Sequence, residues 1–210
     1  MIILFGNEKG GVGKSTMACN TAAQLANLGH DVVLVDADRQ STSSNWANDR
    51  AEDSNLSTVH CIQKYDNIRD TLLDMDNRYA FVIVDAAGRD SRELRTGMAA
   101  AHVLIIPFKP SQPDLDTLYL MQTLITEVQD LLNPTLKVHG LLTMSPTNPI
   151  IRKADAAKEF LKAFPDIKLL TTIIHDRKVY QDAICEGKGV LEMDNPKAKL
   201  EMTNLLKEIL

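Results

Sequence analysis

Residues 9–16 read Lys-Gly-Gly-Val-Gly-Lys-Ser-Thr. A short apolar run, residues 2–5, precedes them, and a helix-like stretch, residues 17–28, follows. Strand, glycine-rich turn and helix, in that order, form the context in which a backbone can cradle a phosphate. Gly10, Gly11 and Gly13 allow a tight turn, so the N–H groups around Val12 and on to Thr16 can converge on one anion. The helix that follows adds the positive end of its dipole. In such a loop Lys14 reaches the outer phosphates and the Ser15 hydroxyl ligates Mg²⁺. Lys9 adds a second lysine at the mouth of the loop, ahead of the usual one.

Beyond the loop, apolar β-branched runs alternate with helix-like segments. The pattern predicts strands at 2–5, 32–35, 58–62, 81–84, 103–107, 138–142 and 169–174. It predicts helices at 14–28, 43–49, 68–74, 91–101, 115–132, 151–163, 179–186 and 197–210. Runs such as Phe81-Val82-Ile83-Val84 are apolar throughout, as strands buried on both faces are. The expected fold is α/β: a mostly parallel twisted sheet with helices on both faces, in one domain over residues 1–210.

Two of these runs end in acids. Asp85 closes 81–84, and Asp36-Ala37-Asp38 closes 32–35. Ligands of an open α/β sheet bind at the carboxyl ends of strands, and a Mg²⁺–phosphate site needs a carboxylate there. For Asp36 and Asp38 the competing reading is helix capping or turn formation ahead of the serines at 41–44.

The chain has 210 residues, 44% hydrophobic and 24% charged, as ordinary globular proteins do. Its net charge of −5 argues against a molecule that is basic all over, and leaves room for a local basic patch. Cys19, Cys61 and Cys185 are far apart, so a disulfide framework or zinc site is not expected and a reducing cytoplasm is. The start does not read as a signal peptide, and no apolar run approaches the ~20 residues of a membrane span.

The string KGGVGKST resembles the deviant Walker A box of the ParA/MinD group of P-loop ATPases. VVLVDADRQ, ending at Gln40, resembles the second box of that family, and FVIVDAAG, ending at Gly88, its Walker B strand. IIPFKPSQPDLDTL and IIHDRKVYQDAICEGKGV resemble two later family segments. Arg39 stands where the family usually has proline, and the residues after Asp85 replace a commoner Thr-Pro-Pro.

The resemblance implies an ATPase that takes ATP and Mg²⁺ and releases ADP and phosphate. It implies that Lys9 crosses a homodimer interface to the partner's nucleotide, and that Asp38 places the attacking water. Asp36 and Asp85 would stand around Mg²⁺. By loop position, the adenine would lie near Thr143 and Met144 and near His175 and Asp176. A catalytic role for His175 has no partner in sequence, so a place at the nucleotide edge or surface is the better reading.

Within the resemblance, a short plasmid or chromosome partition ATPase leads. The loop begins too early for a helix-turn-helix ahead of it. Such a protein would bind DNA non-specifically as an ATP dimer, on the nucleoid, until a ParB-like centromere-binding partner stimulates hydrolysis. Arg152, Lys153, Arg177, Lys178 and Lys188 are candidate DNA contacts, against the alternative of scattered solvated charge. A MinD-like membrane cycler would need a basic amphipathic tail. Leu200, Leu205, Leu206 and Leu210 fall roughly on one face there, but Glu201, Glu208 and the lack of an aromatic anchor favour a helix packed on the core and no stable membrane anchor. A positioning ATPase for protein cargo remains open. A reductase or synthetase on the same scaffold has little support, since the cysteines are not placed to bridge a cluster.

Overall fold

A computed structural model of the chain describes residues 1–88, 90–148, 159–161 and 163–210. Seven strands form one parallel sheet: β1 (Ile2–Phe5), β2 (Val32–Ala37), β3 (His60–Gln63), β4 (Phe81–Ala86), β5 (Val103–Phe108), β6 (Lys137–Ser145) and β7 (Lys168–His175). Their order is β3-β2-β4-β1-β5-β6-β7. Every predicted strand is present, and most run one or two residues further. The helices are α1 (Lys14–Asn27), α2 (Thr42–Ala51), α3 (Arg69–Asp76), α4 (Arg92–Met98), α5 (Gln112–Leu131), α6 (Lys178–Cys185) and α7 (Pro196–Ile209). The helix expected at 151–163 falls largely outside the described residues. A 3₁₀ turn at Val190–Glu192 was not foreseen.

The central strands are apolar on both faces because both are covered. In β1, Ile2 and Leu4 pack with α3, α4 and α5, while Ile3 and Phe5 pack with α1, α2, α6 and α7. All four are fully buried, and each such side chain contributes about 1.5–3 kcal/mol of burial. Strand order reverses at β1, which has β4 on one side and β5 on the other. The carboxyl end of β1 is therefore the crevice where an open α/β sheet takes its ligand, and the glycine loop leaves from there.

The register brings the acids together. Asp36 of β2 pairs directly with Asp85 of β4, which in turn pairs with Phe5 of β1. Two strand ends thus deliver neighbouring carboxylates beside the glycine loop.

A buried cluster ties α2 to the end of the chain. Arg50 is 2% exposed, makes a two-pronged pair with Glu192 at 2.7 and 2.9 Å, and lies over the Trp46 ring. Its guanidinium also donates to the carbonyls of Ser57 and Gly187. Gly187 has φ of +63°, and a Cβ there would sit 2.4 Å from the Arg50 nitrogen. Gly187→Ala would face a rigid backbone in a left-handed conformation, so it should cost about 3 kcal/mol or more. Urea unfolding monitored by Trp46 fluorescence would measure it; a loss below 1 kcal/mol would show that this junction yields.

The last helix packs on the body, as expected, but with a different face. Leu205, Leu206, Met202 and Ile209 are buried, whereas Leu200 and Leu210 are exposed. At about 100° per residue, Leu200 turns well away from Leu205. No helix among the described residues is long and apolar enough to cross a membrane.

Candidate functional site

The glycine loop closes the bottom of a cavity of about 520 Å³ at the carboxyl ends of β1, β2 and β4. Gly11 and Gly13 have φ of +69° and +93°, a conformation that side chains resist. Gly13 precedes α1 with no side-chain cap. The first N–H groups of α1 are thus left to a ligand, and with the helix dipole they favour an anion. Gly10, Lys14, Ser15 and Thr16 line the cavity. Val12 does not: its side chain is buried, and its carbonyl accepts from the Thr143 hydroxyl at 2.8 Å. Any part it plays is through its backbone.

Lys14 is buried, and its ammonium donates to the Lys9 carbonyl at 2.8 Å. Burial lowers its pKa, against the opposing pull of Asp85 and Asp38. The end of β4 presses on the same loop. A Cβ on Gly88 would lie 2.8 Å from the Lys14 ammonium nitrogen and 2.9 Å from the Gly10 Cα. A glycine at that point permits the close approach. The Lys9 side chain does not line this cavity; its ammonium sits 3.8 Å from Asp114 at the start of α5.

The two acids of the second motif divide their work. Asp38 is half-buried and lines the cavity, with its Oδ1 held by the Gln40 N–H. Asp36 is fully buried and does not line it. Its carboxylate accepts from the Ser44 N–H (2.8 Å), the Ser44 hydroxyl (2.7 Å) and the Asp38 N–H (3.1 Å). The capping alternative therefore describes Asp36 best, because its oxygens are taken up by the first turn of α2. An immediate place beside the metal does not follow from this geometry.

Asp85 has the opposite balance. Its Oδ2 accepts from the Ser43 hydroxyl at 2.7 Å, while its Oδ1 is buried with no hydrogen-bond partner among the described residues. Burial pushes its carboxyl up to about 7; the Ser15 and Ser43 hydroxyls offset part of this, Asp36 adds to it and Lys14 opposes it. An orphaned carboxylate oxygen beside a hydroxyl is the donor chemistry of a hard cation, so these residues fit Mg²⁺. No group of three His, Cys, Asp or Glu that could hold a metal occurs among the described residues.

The raised pKa predicts a pH dependence of opposite sign to the usual carboxylate. Folded Asp85 holds its proton more tightly than the unfolded chain does. Between about pH 4 and 7 the native state binds more protons, so this group's stabilisation is present below pH 4 and is lost as pH rises through 7. Asp85→Asn should therefore melt higher than wild type by roughly 5–10 °C at pH 8, with the gap closing toward pH 4–5. Melts of the nucleotide-free protein across that range check it; a gap that does not vary with pH would refute it.

A narrow cleft adjoins the cavity and shares Gly13, Thr16 and Met144 with it. Thr143, His175 and Asp176 line this cleft, so the four residues expected at the base are together. Thr143 itself is nearly fully buried, with its hydroxyl spent on backbone carbonyls.

Of the expected DNA contacts, Arg177, Lys178 and Lys188 fall among the described residues. Arg152 and Lys153 lie outside the described residues. Arg177 is turned inward: its guanidinium donates twice to Glu201 of α7, and its side chain is 17% exposed. His175 Nδ1 and the Tyr180 hydroxyl meet the same carboxylate at 2.8 and 2.9 Å. Arg177 is thus paired with a carboxylate of the last helix. Lys178 starts α6 and Lys188 follows its end, each beside an acid, Asp182 and Glu186. Sequence reading missed Ser43, Ser44 and Gly88. Adjacent serines opening a predicted helix were the signal for the first two.

The model of the CobQ/CobB/MinD/ParA nucleotide binding domain matches residues 3–190. The maintenance of carboxysome distribution protein A of Halothiobacillus neapolitanus is 28% identical over 208 residues, covering 97% of this chain and 94% of that protein. The chromosome-partitioning ATPase Soj of Thermus thermophilus is 28% identical over 220 residues, covering 90% and 87%. Among solved structures, apo McdA of Cyanothece superposes with a TM-score of 0.83 at 15% identity, over 100% of this chain and 99% of that one.

Proposed function

The chain belongs to the CobQ/CobB/MinD/ParA nucleotide-binding family, and from this premise we propose that it is a ParA-type partition ATPase. It is a P-loop ATPase that uses ATP with Mg²⁺. In the proposed cycle the ATP-bound chain forms a homodimer, the dimer binds DNA without sequence preference, and a ParB-like protein on a centromere speeds hydrolysis and release. The protein would then reside in the cytoplasm, on the nucleoid when ATP-bound.

The observation that carries the reading is the convergence of Lys14, Ser15 and Asp38 on one cavity, with the unpartnered Asp85 oxygen buried near Ser15 and Lys14 and the Lys9 ammonium beside Asp114. Mg²⁺, when bound, neutralises phosphate charge and orients the phosphate oxygens. Ser15 and Asp85 are the residues that would hold it. The loop N–H groups and Lys14 stabilise the charge that builds on the transferred group. Asp38 orients a water at the cavity wall. Lys9 lies outside its own cavity and is free to serve another copy, which would couple dimerisation to the outer phosphate.

The cargo has a second reading with its own support. The carboxysome distribution protein matches as much of the chain as Soj does, which favours a protein cargo carried by the same cycle. A membrane cycle of the MinD kind has less support, because α7 is packed on the core. Binding to random duplex DNA and to anionic vesicles, each with ATP, ADP or neither, separates these readings. Duplex binding with ATP alone, weakening steeply with salt, is expected. ATP-dependent vesicle binding without DNA binding would replace the partition reading with the membrane one.

A further inference from the structure

We propose that Ser43 is a positioning residue of the Mg²⁺ site: oriented by Cys19, its hydroxyl pins one oxygen of Asp85 and leaves the other free for the metal shell. The inference rests on the functional reading above, and concerns residues outside the family boxes on which that reading was built.

Ser43 is fully buried in the first turn of α2. Its hydroxyl has one proton to give. The Cys19 thiol, on α1, lies 3.4 Å away and donates to the Ser43 oxygen. Cys19 is fully buried, and burial raises its pKa well above the ordinary thiol value, so it keeps the proton it donates. With its acceptor side occupied, Ser43 directs its own proton to Asp85 Oδ2 at 2.7 Å. The carboxylate is then held in one rotation, and Oδ1 is the oxygen left over.

The neighbouring serine anchors this device. Ser44 binds Asp36 through both its N–H and its hydroxyl, so consecutive serines grip the two acids that β2 and β4 place side by side. The Ser41 N–H bonds the Asp38 carbonyl at 2.9 Å, and Thr42 both opens α2 and lines the cavity. The turn that carries Asp38 is thereby continuous with the turn that sets Asp85. Without Ser43, Oδ2 would become a second buried oxygen with no donor, and nothing would hold the carboxylate in that rotation. Partners that orient a metal-site carboxylate typically change metal affinity by about 10–100-fold when removed.

The test is binding of a fluorescent ATP analogue by the full chain, titrated with Mg²⁺ and repeated in EDTA. In Ser43→Ala the half-saturating Mg²⁺ concentration should rise about tenfold or more, while affinity in EDTA stays within about twofold of wild type. Ser43→Thr, which keeps the hydroxyl, should recover most of the loss. An unchanged Mg²⁺ requirement in Ser43→Ala would overturn the proposal. So would an equal loss with and without Mg²⁺, which marks a merely structural serine, or a threonine variant as impaired as the alanine one. If Ser43→Ala does not fold, Cys19→Ala keeps the serine and removes its orienting donor. The same requirement should then rise about threefold, a smaller loss than for the serine itself, and no change would overturn the proposal. Wild-type chain that binds the analogue with no Mg²⁺ dependence would instead refute the metal site itself, and this inference with it.

Discussion

Asp38→Ala is expected to bind ATP as wild type does and to hydrolyse it about 10²–10³-fold more slowly. The side chain reaches the cavity, yet little of the fold depends on it. Its backbone N–H, which alanine retains, makes the bond to Asp36, and its carboxylate is used locally by the Gln40 N–H. Asp36 keeps both bonds from Ser44, so α2 keeps its place. With the loop and Lys14 intact, the variant should accumulate as the ATP-bound dimer. Phosphate release and sedimentation with ATP would be measured together. Rapid turnover in this variant would show that another group holds the attacking water.

Lys9→Ala is the counterpart, with the opposite outcome for the dimer. ATP should still bind, and ATP-dependent dimerisation should be lost in sedimentation. The structure separates the two lysines by what their atoms touch. Lys14 is buried against the loop, and its proton goes to the Lys9 carbonyl, which alanine also supplies. The Lys9 side chain is one-third exposed and faces Asp114 at 3.8 Å. The contact is long, its lysine end is solvated, and buried Asp114 keeps its bond from the Ser111 hydroxyl, so the loss should be about 1 kcal/mol and the monomer should melt within a few degrees of wild type. A lysine offered across an interface has no γ-phosphate to meet when ADP is bound, and this makes the dimer a nucleotide sensor. A full ATP-dependent dimer in Lys9→Ala would end the claim that this lysine acts in trans.

Much of the fold was legible because its signals are short-range. Seven apolar runs became seven strands, and the central four, β1, β2, β4 and β5, are apolar nearly throughout because both their faces are buried. The ends of β6 and β7 extended past the prediction because Ser145 and His175, polar in sequence, still pair with each other beyond a register shift. The tail helix was assigned to the core correctly, yet its buried face was misread by including Leu200 and Leu210, which only docking against β7 and α1 excludes.

The site was legible in its loop and less so in its partners. The loop is a contiguous string whose glycines and lysine act where they stand. Arg177 shows the limit: it reads as a basic residue in a loop, and its bonds to Glu201, on a different helix, leave no sign in its own segment. Asp36 and Asp38 show it again. Two residues apart in one motif, they read alike, since strand alternation would put both on one face; but β2 ends at Ala37, so Asp36 is held under the first turn of α2 while Asp38, past the strand, lines the cavity.

The sequence by itself determined the strand–loop–helix that cradles phosphate, the parallel α/β sheet, and the strand ends at which its acids stand. These follow from hydrophobic period, glycine conformation and lysine placement, all local properties of the chain. Only the tertiary structure decided which acid faces the cavity, which oxygen of Asp85 is left without a partner, and which cations are spent on internal carboxylates. Those outcomes depend on hydrogen bonds between residues brought together by packing, as Cys19, Ser43 and Asp85 are, and such pairings leave no periodic trace in the chain.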